Sequence, residues 1–178
     1  ANEFEILVDP ITSDGTLPSR ERFVAHLKQD RGFTTLKKLD IAADLDFVGL
    51  ANDLLEQYAR RKGGADVIGA TVHRHFDRLL RIWPNARFIQ GIRDGRDVAL
   101  STIPMGWHFS LYTGIQMWSE AEETWSRLAR QLPDSRHVSL HYERLVADPE
   151  GELTRLCRFM GVAFDPAMLR YDESSTYG

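Results

Sequence analysis

An apolar stretch at residues 86–92 leads directly into a charged turn at residues 93–97, and a helical pattern follows at residues 98–103. The apolar stretch has the length and composition of a buried strand. A strand that passes into a helix through so short a turn is a βα unit, the repeating element of parallel sheets. This succession constrains the chain to the α/β class more strongly than any other part of the sequence.

Strand-like and helical patterns also alternate along the rest of the chain. Further strands are predicted at residues 4–8, 67–70 and 136–142. Helices are predicted from apolar residues at helical spacing at residues 20–29, 45–62, 73–83, 117–131 and 150–160. The alternation predicts βαβ units, with helices on both faces of a mainly parallel sheet. A loop rich in glycine and aromatic residues is expected between residues 104 and 114.

Composition limits the classes that remain. The chain has 178 residues, of which 43% are hydrophobic and 27% charged, which is typical of a single globular domain with a sizeable core. No apolar run approaches the roughly 18 residues that span a bilayer, and the first residues lack a signal-peptide pattern. A cytoplasmic protein without a membrane partner is therefore expected.

Charge and cysteine content exclude two further classes. A net charge of −4 argues against nucleic acid as a partner, although a local basic pocket can exist on an acidic protein. The single cysteine, Cys157, excludes a disulfide framework or a cysteine-based metal site, and its apolar neighbours predict a buried side chain. No metal site is expected.

The charged turn has the features of an anion site. The first N–H groups of a helix are unpaired and lie at its positive end, and Arg93 adds a planar fork of donors suited to phosphate oxygens. Ser101 follows eight residues later, and its hydroxyl reaches the same anion only if the turn folds back. In the alternative interpretation, Asp94 caps the helix, Asp97 pairs with a neighbouring arginine, and the turn is merely solvated.

The segment Arg93-Asp-Gly-Arg-Asp-Val-Ala-Leu-Ser101 resembles the 3′-phosphate motif of sulfotransferases that use 3′-phosphoadenosine 5′-phosphosulfate (PAPS). Three other segments resemble this family in the same order along the chain. They are Trp83-Pro-Asn-Ala-Arg-Phe-Ile, Tyr142-Glu-Arg-Leu-Val-Ala-Asp-Pro-Glu150 and Leu156-Cys-Arg-Phe-Met-Gly161. The resemblance covers roughly residues 65 to 170.

The resemblance implies a three-layer α/β/α fold with a mainly parallel sheet, the P-loop NTPase-like sulfotransferase fold. It implies transfer of a sulfuryl group from PAPS to a hydroxyl or amine of a small-molecule or glycan acceptor, with 3′-phosphoadenosine 5′-phosphate (PAP) as product. Arg93 and Ser101 would bind the 3′-phosphate, and Tyr142 would lie near the adenine. Tyr142 has an alternative role as an aromatic that packs against the following helix.

Family members begin with a loop that binds the 5′-phosphosulfate, and that loop is not found here. The nearest candidate, residues 9–16, carries acids where the family has a basic residue, so an ordinary surface turn is predicted at residues 9–18. We therefore expect one sulfotransferase-like domain over residues 1–178, incomplete at both ends. An inactive nucleotide-binding or assembly module is an alternative, whereas a P-loop kinase would require a Gly-x-x-x-x-Gly-Lys-Ser/Thr loop that the sequence lacks.

Two histidines are candidates for removing the acceptor's proton. His73 follows the predicted strand at residues 67–70 and should lie at the carboxyl edge of the sheet, where many relatives have a histidine base. His108 lies in the loop after the motif helix and is the weaker candidate. The loop aromatics Trp107, Phe109 and Tyr112 are candidates for an apolar acceptor wall.

Overall fold

The computed structural model describes residues 4–29, 39–61, 63–64 and 67–170. Packing divides the chain into two compact units, Ala1–Ala86 and Arg87–Gly178. The prediction of one domain over residues 1–178 stays a prediction.

The first unit is helical over its described residues. It contains α1 (Arg20–Gln29), α2 (Phe47–Arg61), α3 (Leu79–Ile82) and two 3₁₀ turns (Glu5–Leu7 and Phe76–Arg78). The predictions of α1 and α2 are confirmed, and residue 62, the predicted end of α2, lies outside the described residues. The apolar faces of both helices meet in a buried core, where the Phe23 and Phe47 rings pack edge to face with centroids 4.7 Å apart.

Both strands predicted in this unit are wrong. Residues 4–8 form a 3₁₀ turn closed by backbone bonds from Leu7 to Phe4 and from Val8 to Glu5. Residues 67–70 are exposed and form no strand. A short apolar run is compatible with a strand and with other buried structure, so periodicity alone cannot distinguish between these structures. The helix predicted at residues 73–83 is also shorter than expected, because His75 has a left-handed backbone with φ of 55° that interrupts it.

The second unit is an α/β unit built on two parallel strands. Strand β1 (Phe88–Ile92) pairs in register with β2 (His137–His141), from Phe88 opposite His137 to Ile92 opposite His141. The helices are α4 (Gly95–Thr102), α5 (Leu111–Ala129), α6 (Tyr142–Ala147) and α7 (Pro149–Met160), with 3₁₀ turns at Asp134–Arg136 and Pro166–Leu169. The parallel pairing confirms the predicted α/β class with a parallel sheet.

Helix ends in this unit follow capping chemistry. Helix α4 begins earlier than predicted because Asp94 caps it, and α5 begins six residues early because Ser110 and Thr113 form a reciprocal capping box. Gly114, predicted to lie in a loop, is therefore inside α5. Pro149 opens α7 and Gly161 closes it with φ of 79°, as predicted. Cys157 is buried in α7, also as predicted.

Helix α5 is the longest of the described helices and lies along one face of the sheet. Its Trp125 ring lies 6.1 Å from the Phe88 ring and 5.9 Å from the His137 ring, at the start of both strands. Neither α5 nor any other described helix is long and apolar enough to cross a membrane.

Candidate anion-binding site

A cleft of about 500 Å³ opens in the second unit at the carboxyl ends of β1 and β2. It is lined by Ile92, Arg93, Asp94, Gly95, Arg96, Ile115, Trp118, His141 and Glu143. The carboxyl edge of a parallel sheet is where α/β folds bind ligands, and the sequence predicted a site at this turn.

Asp94 and Arg96 organise the start of α4. The Asp94 carboxylate accepts a bond of 2.9 Å from the Arg96 backbone N–H and bonds of 3.0 and 2.6 Å from the Arg96 guanidinium. Hydrogen bonding from the Arg96 side chain, and then from its backbone, holds the pKa of the Asp94 carboxyl well below its usual range. The predicted cap is therefore confirmed, and this pair fixes the turn.

Arg93 has a buried donor without a hydrogen-bond partner. Its guanidinium carbon lies 4.6 Å from the centre of the Tyr142 ring, and its Nη2 lies 3.6 Å from Asp97 Oδ2. Its Nε is buried and has no hydrogen-bond partner among the described residues. Because a buried donor without an acceptor is costly and uncommon, this atom indicates a place for a ligand oxygen.

Helix α6 contributes Glu143 to the lining of the cleft, and Tyr142 contacts Arg93. Tyr142, its first residue, places its half-exposed ring against Arg93. Glu143 accepts a bond of 3.3 Å from the Asp94 backbone N–H. The structure thus brings together Arg93 and Tyr142, two of the predicted donor-binding residues, while the contact of Tyr142 with adenine stays a prediction.

Ser101 is not brought into the cleft. Its hydroxyl donates to the Val98 carbonyl at 2.9 Å within α4, and six residues separate it from Gly95 at the start of that helix. Six residues of helix rise roughly 9 Å. Binding of the 3′-phosphate by Ser101 stays a prediction.

The predicted acid–base and acceptor residues do not line this cleft. His73 lies in the first unit, and the strand expected before it is absent; its backbone N–H donates to Glu5 Oε1 at 3.0 Å. Trp107, His108 and Phe109 lie in the segment between α4 and α5, and Tyr112 lies in the first turn of α5. The Phe109 side chain is 99% exposed. The catalytic role of His73 and the acceptor wall stay predictions.

A polar layer that the sequence did not predict joins β1, β2 and α5. Ser139 of β2 donates to Gln90 Oε1 at 3.0 Å, and Gln90 of β1 donates to Glu122 Oε2 of α5 at 2.9 Å. Burial raises the pKa of the Glu122 carboxyl, although the Gln90 bond and the nearby His141 oppose that rise. Strand alternation puts His141 on the same face as Ser139, which is the one signal that the sequence contained.

Replacing Glu122 with glutamine should remove a pH-dependent loss of stability. A carboxyl whose pKa is raised by folding stabilises the protein while protonated, and this contribution is lost as pH rises through the folded-state pKa. The variant keeps an acceptor for Gln90. The thermal unfolding midpoint of Glu122→Gln, measured relative to that of the wild type, should therefore be higher at pH 7 than at pH 4. Glu123→Gln, an exposed change on the same helix, is the control, and parallel pH profiles for Glu122→Gln and the wild type would contradict the assignment.

The acidic turn at residues 9–16 is closed by its own bonds. The Thr16 backbone N–H donates to Thr12 Oγ1 and Asp14 Oδ1, each at 3.0 Å, and the Thr12 hydroxyl also donates to Asp14. Hydrogen bonding, chiefly from the Thr12 side chain, lowers the pKa of Asp14 to about 2. Residues 12–16 thus form the predicted surface turn, whereas Ile11, inside the same predicted segment, is buried in the core.

Comparison with known proteins gives consistent sequence matches. The model of the family described as "Sulfotransferase family" matches residues 13–166. The chain is 30% identical over 101 residues to a protein-tyrosine sulfotransferase of Drosophila melanogaster, a match covering 53% of this chain and 20% of that protein. It is 32% identical over 120 residues to omega-hydroxy-beta-dihydromenaquinone-9 sulfotransferase Stf3 of Mycobacterium tuberculosis, covering 59% of this chain and 30% of that protein. The chain thus spans less than a third of the length of these relatives.

Solved structures show the same fold. The sulfotransferase domain of the Synechococcus PCC 7002 olefin synthase aligns with a TM-score of 0.57 at 20% identity, covering 82% of this chain and 54% of that one. The sulfotransferase domain of the curacin biosynthetic pathway aligns with a TM-score of 0.53 at 20% identity, covering 80% and 54%. The chain therefore has an α/β fold of the kind seen in these domains, and spans about half of each.

Proposed function

The chain belongs to the sulfotransferase family, whose model matches residues 13–166, and from that premise we propose that it transfers a sulfuryl group from PAPS to a hydroxyl or amine. The product nucleotide would be PAP. The cleft at the carboxyl edge of β1 and β2 would bind the nucleotide part of the donor.

The unpaired Nε of Arg93 is the observation that carries this proposal. The guanidinium lies at the end of β1, beside the first turn of α4, and in contact with an aromatic ring. A phosphate oxygen would satisfy the buried donor, and the positive end of α4 favours the same charge. A nucleotide with a 3′-phosphate fits this arrangement because its base can lie near Tyr142 while its phosphate meets Arg93.

The reaction itself takes place at the other end of the donor. The acceptor oxygen or nitrogen attacks sulfur, the bond from sulfur to the 5′-phosphate oxygen breaks, and the acceptor's proton leaves to a base. Binding at Arg93 contributes by holding the donor in position for that in-line attack. His73 is our candidate for the base, on the resemblance alone.

The relatives favour a hydroxyl as acceptor. The names of the Drosophila and Mycobacterium proteins specify tyrosine, which carries a phenol, and an omega-hydroxy menaquinone. These names describe those two proteins. For this chain we propose a small molecule or glycan that bears a hydroxyl as the acceptor.

A nucleotide comparison tests the proposal directly. We expect PAP to raise the thermal unfolding midpoint and to bind roughly tenfold or more tightly than AMP, because only PAP brings a second phosphate to Arg93. ATP carries about the same negative charge as PAP but no 3′-phosphate, so it controls for general attraction of anions. Equal responses to PAP, AMP and ATP would contradict the proposal.

An inactive nucleotide-binding module is the second candidate, favoured by one observation. In the acidic turn, Asp14 accepts a bond from the Thr16 backbone N–H, and Asp9 Oδ1 accepts a bond of 3.0 Å from Arg74 Nε. This segment is therefore not arranged to bind a phosphosulfate. Tight PAP binding, combined with no release of PAP from PAPS in the presence of a panel of phenols, alcohols and amines, would favour the inactive module.

A further inference from the structure

The indole of Trp118 lies flat against the turn that carries Arg93. A Cβ on Gly95 would lie 2.7 Å from Cδ2 and Cε3 of Trp118 and 3.1 Å from its Cε2. Because Cδ2 and Cε2 join the two rings of the indole, the face of the ring system, and not its edge, covers Gly95. Both residues line the cleft. An aromatic side chain of α5 is thus in direct contact with the first turn of α4.

This contact explains why position 95 is a glycine. Gly95 does not have a positive φ, so its backbone conformation is open to any residue. Alanine is also the better helix former, and local structure alone would therefore favour it at the start of α4. The Trp118 indole leaves no room for the extra methyl group. The pair is therefore a close-packed contact that neither residue can lose without movement of the turn or of the indole.

The turn is held from two further directions. The Asp94 backbone N–H donates to Glu143 of α6 at 3.3 Å, and the Asp94 carboxylate accepts a bond of 2.6 Å from Arg96. Arg93 directly precedes Asp94, so these contacts fix the backbone from which its side chain extends. A hydrogen bond weakens steeply when its donor is misdirected. The buried Nε of Arg93 can therefore meet a bound oxygen well only while this backbone stays in place.

We propose that Trp118 is a positioning residue of the donor site, which fixes the turn through Gly95 so that Arg93 Nε is directed at the 3′-phosphate. This inference rests on the proposed function and adds a residue that acts through Arg93. The preference for PAP over AMP is its readout, because only PAP carries the phosphate that Arg93 is proposed to bind. General loss of packing lowers stability and weakens both nucleotides alike.

Trp125 provides a matched comparison on the same helix. It lies about two turns after Trp118, on the same face of α5. Its ring packs at the start of the strands, against Phe88 and His137, and it does not line the cleft. Replacement of either tryptophan removes aromatic packing from α5, but only Trp118 contacts the turn that carries Arg93.

Calorimetric titration of PAP and of AMP into the whole chain tests the role of Trp118. Trp118→Leu should reduce the preference for PAP over AMP roughly fivefold, because a misdirected guanidinium loses about half the free energy of a charge-assisted hydrogen bond. Trp118→Phe keeps an aromatic face and should retain more of the preference. Trp125→Leu should lower the thermal unfolding midpoint, as Trp118→Leu does, yet keep the wild-type preference.

Gly95→Ala disturbs the same contact from the other side. Its methyl group must displace the indole or the turn, so the preference for PAP should fall although alanine favours the helix. Combined with Trp118→Leu, the two losses should be less than additive, because both variants act on one contact. Should Trp118→Leu not fold, Gly95→Ala decides the matter, since a wild-type preference in that variant would refute the inference.

The outcomes separate this inference from the proposed function. If Arg93→Ala abolishes the preference for PAP while Trp118→Leu and Gly95→Ala keep it, the role of Trp118 is refuted and the donor site stands. Equal reductions in Trp118→Leu and Trp125→Leu would also refute it, because they would indicate general destabilisation. If the wild type binds PAP no better than AMP, the proposed function fails and the inference fails with it.

Discussion

Replacing Arg93 with alanine should weaken PAP binding by about 1.5 to 3 kcal/mol, which is roughly 10- to 150-fold in the dissociation constant. The change removes the charge, the planar fork and the buried Nε that has no protein partner. It also removes the cation that lies on the Tyr142 ring, so one face of that ring is left open. Calorimetric titration with PAP measures the loss. Binding of AMP should change much less, because AMP lacks the 3′-phosphate.

Two variants make the Arg93 result interpretable. Arg93→Lys keeps the charge but loses the fork, so an intermediate affinity would show that geometry contributes as well as charge. Arg127→Ala removes an exposed arginine of α5 that does not line the cleft, and it should bind PAP like the wild type. Unchanged PAP affinity in a folded Arg93→Ala variant would refute the site.

Part of this site was predictable because it depends on strand ends. Arg93 directly follows β1 and Tyr142 directly follows β2. Once two strands are recognised as parallel neighbours, the residues that follow them must meet at one edge. The position of Ser101 was not predictable in this way. It depends on the direction in which α4 leaves the turn, and no sequence pattern determines that direction.

The polar layer beneath the cleft could not be found from sequence alone. Gln90, Ser139 and Glu122 are joined by hydrogen bonds across two strands and a helix. Each is unremarkable in its own segment, and their meeting depends on the register of β1 with β2 and on the rotation of α5. His141 lies on the same face of β2 as Ser139, and only the position of α5 shows that this face approaches Glu122.

The predictions for short and irregular segments were wrong for a different reason. Residues 4–8 have an apolar composition that suits a strand, yet local backbone bonds close them into a 3₁₀ turn. The segment around Gly114 looked like a loop because glycine is a poor helix former. In the structure Gly114 lies inside α5, where α4 packs so closely that no side chain fits. This requirement comes from tertiary packing, which helix propensity does not describe.

Replacing Gly114 with valine should therefore destabilise the protein and weaken PAP binding together. A Cβ on Gly114 would lie 2.8 Å from the Ala99 Cβ and 2.9 Å from its Cα, closer than carbon atoms can approach. Ala99 is fully buried, so α4 and α5 must separate. Overpacking of this kind costs about 1 to 3 kcal/mol, which for a chain of this size lowers the unfolding midpoint by roughly 2 to 12 °C. Because α5 carries Ile115 and Trp118 into the cleft, PAP affinity should fall as well.

Gly91→Val is the matched control for Gly114→Val. A Cβ on Gly91 has no atom within 4 Å, the residue is exposed, and valine suits a strand, so its unfolding midpoint should stay near that of the wild type or rise slightly. Adding Ala99→Gly to Gly114→Val should recover part of the loss, because it removes the Cβ but not the Cα from the contact. Recovery in the double variant would show that the close approach of α4 and α5 is the cause; helix propensity cannot be, since valine is a better helix former than glycine. A midpoint for Gly114→Val at or above the wild-type value would contradict this packing, and with it the placement of Trp118 beside the turn that holds Arg93.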